Sequence, residues 1–328
     1  MSSPTNGIPT LTINTSCHQY QPEQIKILRE TCETVGFFYL QVQDDQLLDL
    51  LPRVFHQSQQ FFSLPPDIKK QFFDSVLNRG YTGMEEETLD PSRQSRGDTK
   101  EGYYISENVS ESDPRYNPFK LSGPNVYPSN VKDNLLDCEE WKETMMAYHD
   151  KMKKVAFQLI QMLAMALDLP QSYFDPYFQE PLPVLRLLHY SNEKSDVGKG
   201  VYACGAHSDY GMVTILATDD NPGLQIYHDE QWMDVPPPSL GTFVVNLGDM
   251  LERWTNGKFK STLHRVIISS SGGEERYSIP FFYEPNFDTV VECLESCIGD
   301  DGVKYPPITS GQHLLDKYKE THADFNKA

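Results

Sequence analysis

The sequence has few basic residues for its size. Lys and Arg number 28 against 47 Asp and Glu in 328 residues, which gives a formal net charge of −19. Because phosphate binding requires clustered Lys and Arg, this charge argues against a nucleic acid and against an anionic membrane surface as partners. The hydrophobic fraction of 38% is close to that of globular proteins, so a packed core is expected.

A long hydrophobic run, a secretion signal and paired cysteines are missing as well. The longest nearly apolar run, residues 155–167, is too short to cross a bilayer. The first residues have neither a basic start nor an apolar stretch, so we expect a cytoplasmic protein, and we expect it to be a monomer. The six cysteines form no Cys-x-x-Cys pair, which argues against a disulfide framework and against a thiolate zinc site.

Hydrophobic periodicity divides the chain into two parts, and the first covers residues 1–137. Apolar residues at helical spacing over 22–35 and 47–61 predict two helices, and a strand is predicted between them at 36–42. Residues from about 74 to 137 lack strong periodicity, which is typical of a binding loop. We therefore expect a mainly helical N-terminal region that carries a substrate loop.

The second part, residues 138–328, is predicted to be one unit with a long helix, a β core and a helix over 311–325. Apolar spacing changes to a period of two from residue 182 onward, with turn-rich breaks between short strands. Such strands suggest a jelly roll, so the predicted fold class is mainly β with flanking helices. The predicted strands cover residues 184–190, 201–207, 212–217, 223–227, 242–247, 263–268 and 276–283.

A candidate metal site begins at His207-Ser-Asp209. Side chains at positions i and i+2 of a strand project from the same face, so these two can reach one ion. The pattern alone is weak evidence, because His322-Ala-Asp324 has the same spelling in the predicted helical tail. A second histidine, His264, starts another apolar strand, although taken alone it is better explained as a packed core histidine.

Arg276 and Ser278 suggest what the metal site is for. Both lie on one face of an apolar strand, where an arginine is costly to bury without an anion. Two histidines and one carboxylate leave positions open on an octahedral metal, as in non-haem Fe(II) oxygenases. Arg276 and Ser278 would then hold the far carboxylate of an oxo-acid that chelates the metal through its other end.

These residues belong to a larger set of motifs. The chain resembles the plant-type Fe(II)/2-oxoglutarate-dependent dioxygenases related to isopenicillin N synthase. The motifs that carry the resemblance are His207-x-Asp209, Gly223-Leu-Gln225, Asn246-Leu-Gly-Asp249, Thr255-Asn-Gly257, His264-Arg-Val266, Arg276-x-Ser278 and, near the N-terminus, Gly36-Phe-Phe-Tyr39 and Phe61-Phe-Ser-Leu-Pro65.

The resemblance implies a double-stranded β-helix core and a set of cofactors. Fe(II) would bind His207, Asp209 and His264, and 2-oxoglutarate would chelate the iron and place its distal carboxylate on Arg276, Ser278 and the Tyr190 hydroxyl. With O2, the enzyme would convert 2-oxoglutarate to succinate and remove hydrogen from a C–H bond of a small molecule. Hydroxylation, desaturation and oxidative cyclisation all remain open as outcomes.

The resemblance also has departures. The family motif Asn-Tyr-Tyr-Pro has its second tyrosine at Tyr190, but Leu188 and His189 stand where its Asn and first Tyr would be. A usual side-chain contact to the near end of the oxo-acid is therefore missing. The iron ligands and the Arg-x-Ser pair are unaffected.

Four residues are predicted to contact the organic substrate. Arg186 shares a strand face with Tyr190, and Phe282 and Glu284 share one with Arg276, while Tyr103 matches a substrate-contacting tyrosine of similar enzymes. A buried, unpaired Arg186 would favour a carboxylate-bearing substrate. Alternatively, Arg186 and Glu284 simply pair with each other.

Residues 79–105 resemble a branch of the family that acts on hormones, alkaloids and, in algae, kainoids. This branch suggests a small specialised metabolite, such as an amino-acid-derived kainoid precursor. Arg79 and Lys100 are weaker substrate candidates, because acidic residues nearby make a solvated loop the simpler interpretation.

Two other functional classes stay open from the residues alone. A zinc hydrolase can use two histidines and an aspartate with water as fourth ligand, but it gives no role to Arg276 and Ser278. A non-catalytic jelly-roll binding protein gives no role to the three metal-ligand candidates.

Overall fold

The fold was analysed in a computed structural model that describes residues 7–17, 19–132, 135–269 and 275–321. Within these residues the helices are α1 (Pro22–Thr34), α2 (Asp45–Phe62), α3 (Pro66–Lys69), α4 (Cys138–Ala166), α5 (Asp249–Trp254) and α6 (Ser310–Thr321). The strands are β1 (Thr10–Asn14), β2 (Phe37–Gln43), β3 (Phe73–Asp74), β4 (Arg79–Thr82), β5 (Lys100–Ser106), β6 (Leu182–Tyr190), β7 (Cys204–His207), β8 (Val213–Thr218), β9 (Leu224–His228), β10 (Gln231–Asp234), β11 (Thr242–Leu247), β12 (His264–Val266), β13 (Arg276–Glu284), β14 (Val290–Val291) and β15 (Ile308–Thr309).

Two sheets form the β core. The major sheet has the order β1-β2-β11-β8-β13-β6-β5-β4-β3, and the minor sheet has the order β10-β9-β12-β7. Apart from the parallel pair β1–β2, the strand pairs within both sheets are antiparallel. The predicted fold class, a mainly β jelly-roll core with flanking helices, is confirmed.

The long helix α4 packs against α1, α2 and the major sheet. Its N-terminus is capped by Asp137, whose carboxylate accepts a hydrogen bond of 3.0 Å from the Glu140 backbone N–H. Apolar residues recur on the packed face, and Trp141, Met145 and Met152 are fully buried. This helix therefore covers one face of the major sheet at β13.

The segment predicted to be a substrate loop differs most from expectation. Part of it forms β3, β4 and β5, which extend the major sheet beyond β6. Residues 102–105 of this segment look strand-like in the sequence, but the rest of these strands does not, because charged residues occupy buried strand positions, among them Arg79, Lys100 and Glu101. The sheet thus includes strands from both sides of residue 137, and the domain boundary there stays a prediction.

The ends of the chain add two further observations. The predicted tail helix begins at Ser310, and the part of that prediction after Thr321, including His322 and Asp324, lies outside the described residues. Within the described ranges, no helix is both long and apolar enough to cross a membrane.

Candidate active site

The three predicted metal ligands lie together at the minor sheet, where the end of β7 pairs with the start of β12. Antiparallel pairing of β7 and β12 places His264 directly opposite His207, and Asp209 follows β7 by two residues. One ligand atom from each residue lies within 4.8 Å of the others. The strand arrangement therefore brings together residues that are far apart in sequence.

Backbone carbonyls orient both histidine rings. The Nδ1 atom of His207 donates to the Gly205 carbonyl at 2.9 Å, and that of His264 donates to the Thr262 carbonyl at 3.0 Å. Each Nε2 atom then faces Oδ1 of Asp209, at 3.7 Å from His207 and 3.8 Å from His264. Two nitrogens and one oxygen aimed at a common point are a suitable donor set for a divalent iron.

Burial controls the protonation of these groups. Burial and the neighbouring His207 lower the pKa of His264 to about 4, so its ring is neutral and can donate an electron pair to a metal. Burial alone would raise the pKa of Asp209, but the two histidines and two hydrogen bonds outweigh it, so this pKa lies below its ordinary value. Asp209 is therefore an ionised ligand candidate.

Two residues that hold Asp209 were not predicted. The Asn246 side-chain amide donates to Asp209 Oδ2 at 2.7 Å, and the Thr214 hydroxyl donates to the same oxygen. Oδ1 is thereby left facing the histidines. The signal for Asn246 was present in the sequence, because it begins one of the family motifs, Asn246-Leu-Gly-Asp249.

An inner cavity adjoins the three ligands and is lined by the residues predicted to bind the oxo-acid. Arg276 lies opposite Tyr190 across β13 and β6, with its guanidinium carbon 4.8 Å from the centre of the tyrosine ring. Arg276 is 2% exposed, and its Nη1 atom is buried without a hydrogen-bond partner among the described residues. Ser278 lines the same cavity.

The two departures from the family motif face opposite sides of β6. Leu188 lines the inner cavity, so an apolar side chain stands where the family has Asn. The His189 ring points to the other face of the sheet, where its Nδ1 atom contacts a Glu101 carboxylate oxygen at 2.7 Å. Lys100, on β5 opposite Tyr190, also lines the inner cavity.

An outer cavity continues from the inner one. Both are lined by His207, Asp209, Arg186, Phe282 and Leu89. Three of the four predicted substrate residues, Arg186, Phe282 and Glu284, line the outer cavity. Phe282 and Glu284 of β13 therefore face the same cavity, as predicted from their spacing of two residues.

Tyr103, the fourth predicted substrate residue, does not reach either cavity. It is fully buried against Phe61 and Trp141, and its hydroxyl donates to the Val126 carbonyl at 2.8 Å. The β5–β6 register explains this, because Tyr104 is the residue opposite Arg186. Tyr104, and not Tyr103 as predicted, is the tyrosine of β5 that lines the outer cavity.

The expectation that Arg186 lacks a protein partner is wrong. Its two terminal nitrogens donate to the two carboxylate oxygens of Glu87 at 2.9 and 3.3 Å. The alternative partner, Glu284, instead accepts a 2.7 Å hydrogen bond from the Met212 backbone N–H. The charge of Arg186 is therefore already compensated within the protein.

Some charges of residues 79–101 are buried, in contrast to the expectation for a loop, although Glu85, Glu86 and Arg93 are exposed as expected. Arg79, Glu87, Asp98 and Lys100 are each at most 4% exposed. Arg79 lines the outer cavity and donates to the backbone carbonyls of Leu77, Asn78 and Leu121. Among the described residues no carboxylate lies within ion-pair distance of Arg79.

Comparisons with known proteins agree with this geometry. The family model of the 2OG-Fe(II) oxygenase superfamily matches residues 182–285. A second family model, described as "non-haem dioxygenase in morphine synthesis N-terminal", matches residues 8–130. A 2-oxoglutarate-Fe(II) type oxidoreductase, hxnY, of Emericella nidulans is 37% identical over 310 residues, which cover 91% of this chain and 84% of the relative. The chain belongs to the 2OG-Fe(II) oxygenase superfamily.

Other relatives of this oxygenase occur in plants and fungi. Kihadalactone A synthase LFS of Citrus sinensis is 35% identical over 91% of this chain and 88% of the relative. A full-length Neurospora crassa protein, solved by crystallography in complex with alpha-KG and thymine, has a similar structure. Its TM-score is 0.78 at 30% identity, and the match covers 95% of this chain and 96% of the Neurospora chain.

Family membership decides between the functional classes left open by the sequence. The chain is a non-haem dioxygenase that uses Fe(II), 2-oxoglutarate and O2 and acts on small molecules. The zinc hydrolase and the non-catalytic binding protein are set aside.

Proposed function

We propose that Fe(II) binds His207, Asp209 and His264, and that 2-oxoglutarate lies in the inner cavity with its distal carboxylate on Arg276. The observation that carries this assignment is the buried, unpartnered Nη1 atom of Arg276 in the cavity that the three ligand candidates border. A buried donor without an acceptor is costly, and a carboxylate would satisfy it.

The residues of the inner cavity have distinct tasks in this proposal. The Arg276 guanidinium binds the distal carboxylate, and the hydroxyls of Ser278 and Tyr190 donate further hydrogen bonds to it. Leu188 and Phe282 keep water away from the bound cosubstrate. When bound, iron, O2 and 2-oxoglutarate together supply the oxidant that removes hydrogen from a C–H bond, while the protein supplies binding and orientation.

For the outer cavity, we infer a small carboxylate-bearing substrate with an apolar part. Arg79 supports an anionic group: burial lowers its pKa only to about 10, and among the described residues Asp74 acts on it electrostatically but no carboxylate lies within ion-pair distance. Burial raises the pKa of Glu284 to about 8, so this residue is mainly protonated at neutral pH. Because Glu87 neutralises Arg186 and Glu284 is mainly protonated, Arg79 gives its part of the outer cavity a positive charge.

The apolar part of the substrate would lie toward the iron. Leu89 and Phe282 line both cavities, and Val184 lines the outer one, so they form an apolar passage between Arg79 and the three ligands. Arg186, Glu284 and Tyr104 would contact polar groups of the substrate. An amino-acid-derived specialised metabolite such as a kainoid precursor has this character, and its oxidation would give a hydroxylated, desaturated or cyclised product.

A panel of carboxylates and their matched carboxamides tests the substrate class. Purified enzyme receives Fe(II), 2-oxoglutarate and O2, and succinate release is measured with each compound. We expect carboxylates to stimulate succinate release and their amides to stimulate it far less. Equal stimulation by amides would contradict carboxylate recognition, and no succinate from any mixture would contradict the proposed site.

A pair of variants localises the recognition. Arg79→Gln should reduce stimulation by the best carboxylate, whereas Arg115→Gln should not, because Arg115 is exposed and paired with Asp113. The monomeric state and the cytoplasmic location also belong to this proposal, and sedimentation and cell fractionation check them.

A further inference from the structure

Four buried charges of alternating sign form a continuous chain beside the two cavities. Arg186 pairs with both carboxylate oxygens of Glu87, Glu87 Oε2 lies 2.8 Å from the Lys100 ammonium, and Lys100 pairs in turn with Asp98. Asp98 is fully buried and Lys100 is 3% exposed. Because the charges balance, the chain can persist without a ligand.

The Asp98 end of this chain contacts the strand of the candidate iron ligand His207. Asp98 Oδ1 accepts a 2.8 Å hydrogen bond from the Gly205 backbone N–H. The Gly205 carbonyl accepts the 2.9 Å hydrogen bond from His207 Nδ1 that directs Nε2 toward Asp209. Two hydrogen bonds on one residue, Gly205, thus connect Asp98 to the ring of His207.

Close packing keeps this connection in place. A Cβ atom on Gly205 would lie 2.1 Å from Gln94 Oε1 and 2.9 Å from the Asp90 backbone nitrogen, so a larger residue would displace the Gln94 side chain and press on the backbone of this segment. Gln94 itself donates to Asp98 Oδ1 at 2.8 Å. The segment around residues 90–98 therefore fits directly against β7.

We propose that Asp98, held by Lys100, is a positioning residue that orients His207 for iron binding. This inference rests on the proposed function, because it needs His207 to be an iron ligand. Residues that hydrogen-bond to metal ligands fix ring orientation, and their loss typically weakens metal binding about 10- to 100-fold. Here the effect passes through the Gly205 backbone rather than through a direct side-chain contact.

A second buried ion pair provides the matched control. Lys69 pairs with Glu101 at 2.7 Å, and their side chains are 6% and 4% exposed. Glu101 is the neighbour of Lys100 on β5 but faces the opposite side of the sheet, where it contacts His189. Lys69→Met therefore removes the same charge from an equally buried pair that has no hydrogen bond to β7.

The experiment measures Fe(II) binding to the apoprotein by anaerobic equilibrium dialysis, without 2-oxoglutarate or substrate. Asp98→Ala should raise the dissociation constant about 10- to 100-fold. Asp98→Asn should recover part of the affinity, because its amide oxygen still accepts from Gly205, whereas its amide nitrogen can no longer pair with Lys100. Lys100→Met should weaken binding in the same direction, whereas Lys69→Met should lower thermal stability but keep the wild-type affinity.

The outcomes separate the inference from the proposed function. Wild-type affinity in Asp98→Ala, or an equal loss in Lys69→Met, would overturn the positioning role alone. If Asp98→Ala does not fold, the Fe(II) affinities of Lys100→Met and Lys69→Met are compared instead. Weaker binding in Lys100→Met supports the positioning role, and equal affinities overturn it. A wild-type protein that binds no Fe(II) would overturn the proposed function itself.

Discussion

Replacing Arg276 by lysine tests the cosubstrate assignment most specifically. Lysine keeps the positive charge but replaces a planar fork with a point charge, so it cannot bind a carboxylate through two parallel hydrogen bonds. The lost fork includes the buried Nη1 atom, which has no other partner among the described residues. Loss of one charged hydrogen bond costs about 1.5–3 kcal/mol.

This cost converts into a measurable change in 2-oxoglutarate affinity. Since about 1.4 kcal/mol corresponds to a factor of ten, the half-saturating 2-oxoglutarate concentration should rise roughly 10- to 100-fold. The assay is succinate release at saturating Fe(II), with 2-oxoglutarate and organic substrate varied separately. The requirement for organic substrate should change little, because Arg276 does not line the outer cavity.

A control variant guards against a general effect of the substitution. Arg253→Lys alters an arginine on α5 whose guanidinium donates to the Pro306 carbonyl, and it should leave both saturation curves unchanged. Unchanged 2-oxoglutarate saturation in Arg276→Lys would refute the assignment. An equal rise in the requirement for organic substrate would refute the separation of the two cavities.

Three further predictions concern the rest of the site. Alanine at any one of the three proposed iron ligands should abolish succinate release and lower iron occupancy, and near-wild-type release with iron bound would show that the residue is not a ligand. Arg186→Gln should lower the free energy of unfolding by about 3–5 kcal/mol, since it breaks the buried ion pair with Glu87. In the same variant, substrate-driven turnover should fall more than slow uncoupled 2-oxoglutarate decay. If urea unfolding gives a free energy that differs from wild type by less than about 1 kcal/mol, the pairing is contradicted. Because the folded-state pKa of Glu284, about 8, is raised above its ordinary value, its contribution to stability is fully present below about pH 4.5 and is lost as pH rises toward 8. Relative to Glu284→Gln, the wild type should therefore lose up to about 1.4 kcal/mol of unfolding free energy per pH unit across this window, and parallel curves would contradict the burial of this carboxyl group.

Local patterns in the sequence were sufficient to predict the parts of the site that lie along single strands. Arg276 and Ser278 are two residues apart on β13, and strand geometry alone places them on one face. His207 and Asp209 have the same spacing, but β7 ends at His207 and Asp209 lies just beyond it. Predicting that His264 joins them needed the family motifs, since nothing local brings β12 beside β7.

Partners that are distant in sequence could not be predicted in the same way. Glu87 pairs with Arg186 from 99 positions away, in a segment whose buried charges hide its strands. Because the alternation of apolar and polar residues is lost there, the segment resembled a solvated loop. Tyr103 was predicted from the family resemblance, which does not give the register of β5, and that register turns Tyr104 rather than Tyr103 toward the outer cavity.

The most direct test of the account is an anaerobic titration of the apoprotein with Fe(II) and 2-oxoglutarate, followed by visible absorption. Chelation of the iron by the oxo-acid produces a weak charge-transfer band. The account predicts this band in the wild type and in the Arg253→Lys control, and its loss in His264→Ala. A wild type that binds iron and 2-oxoglutarate without the band, or a His264→Ala variant that keeps it, would contradict the proposed iron site.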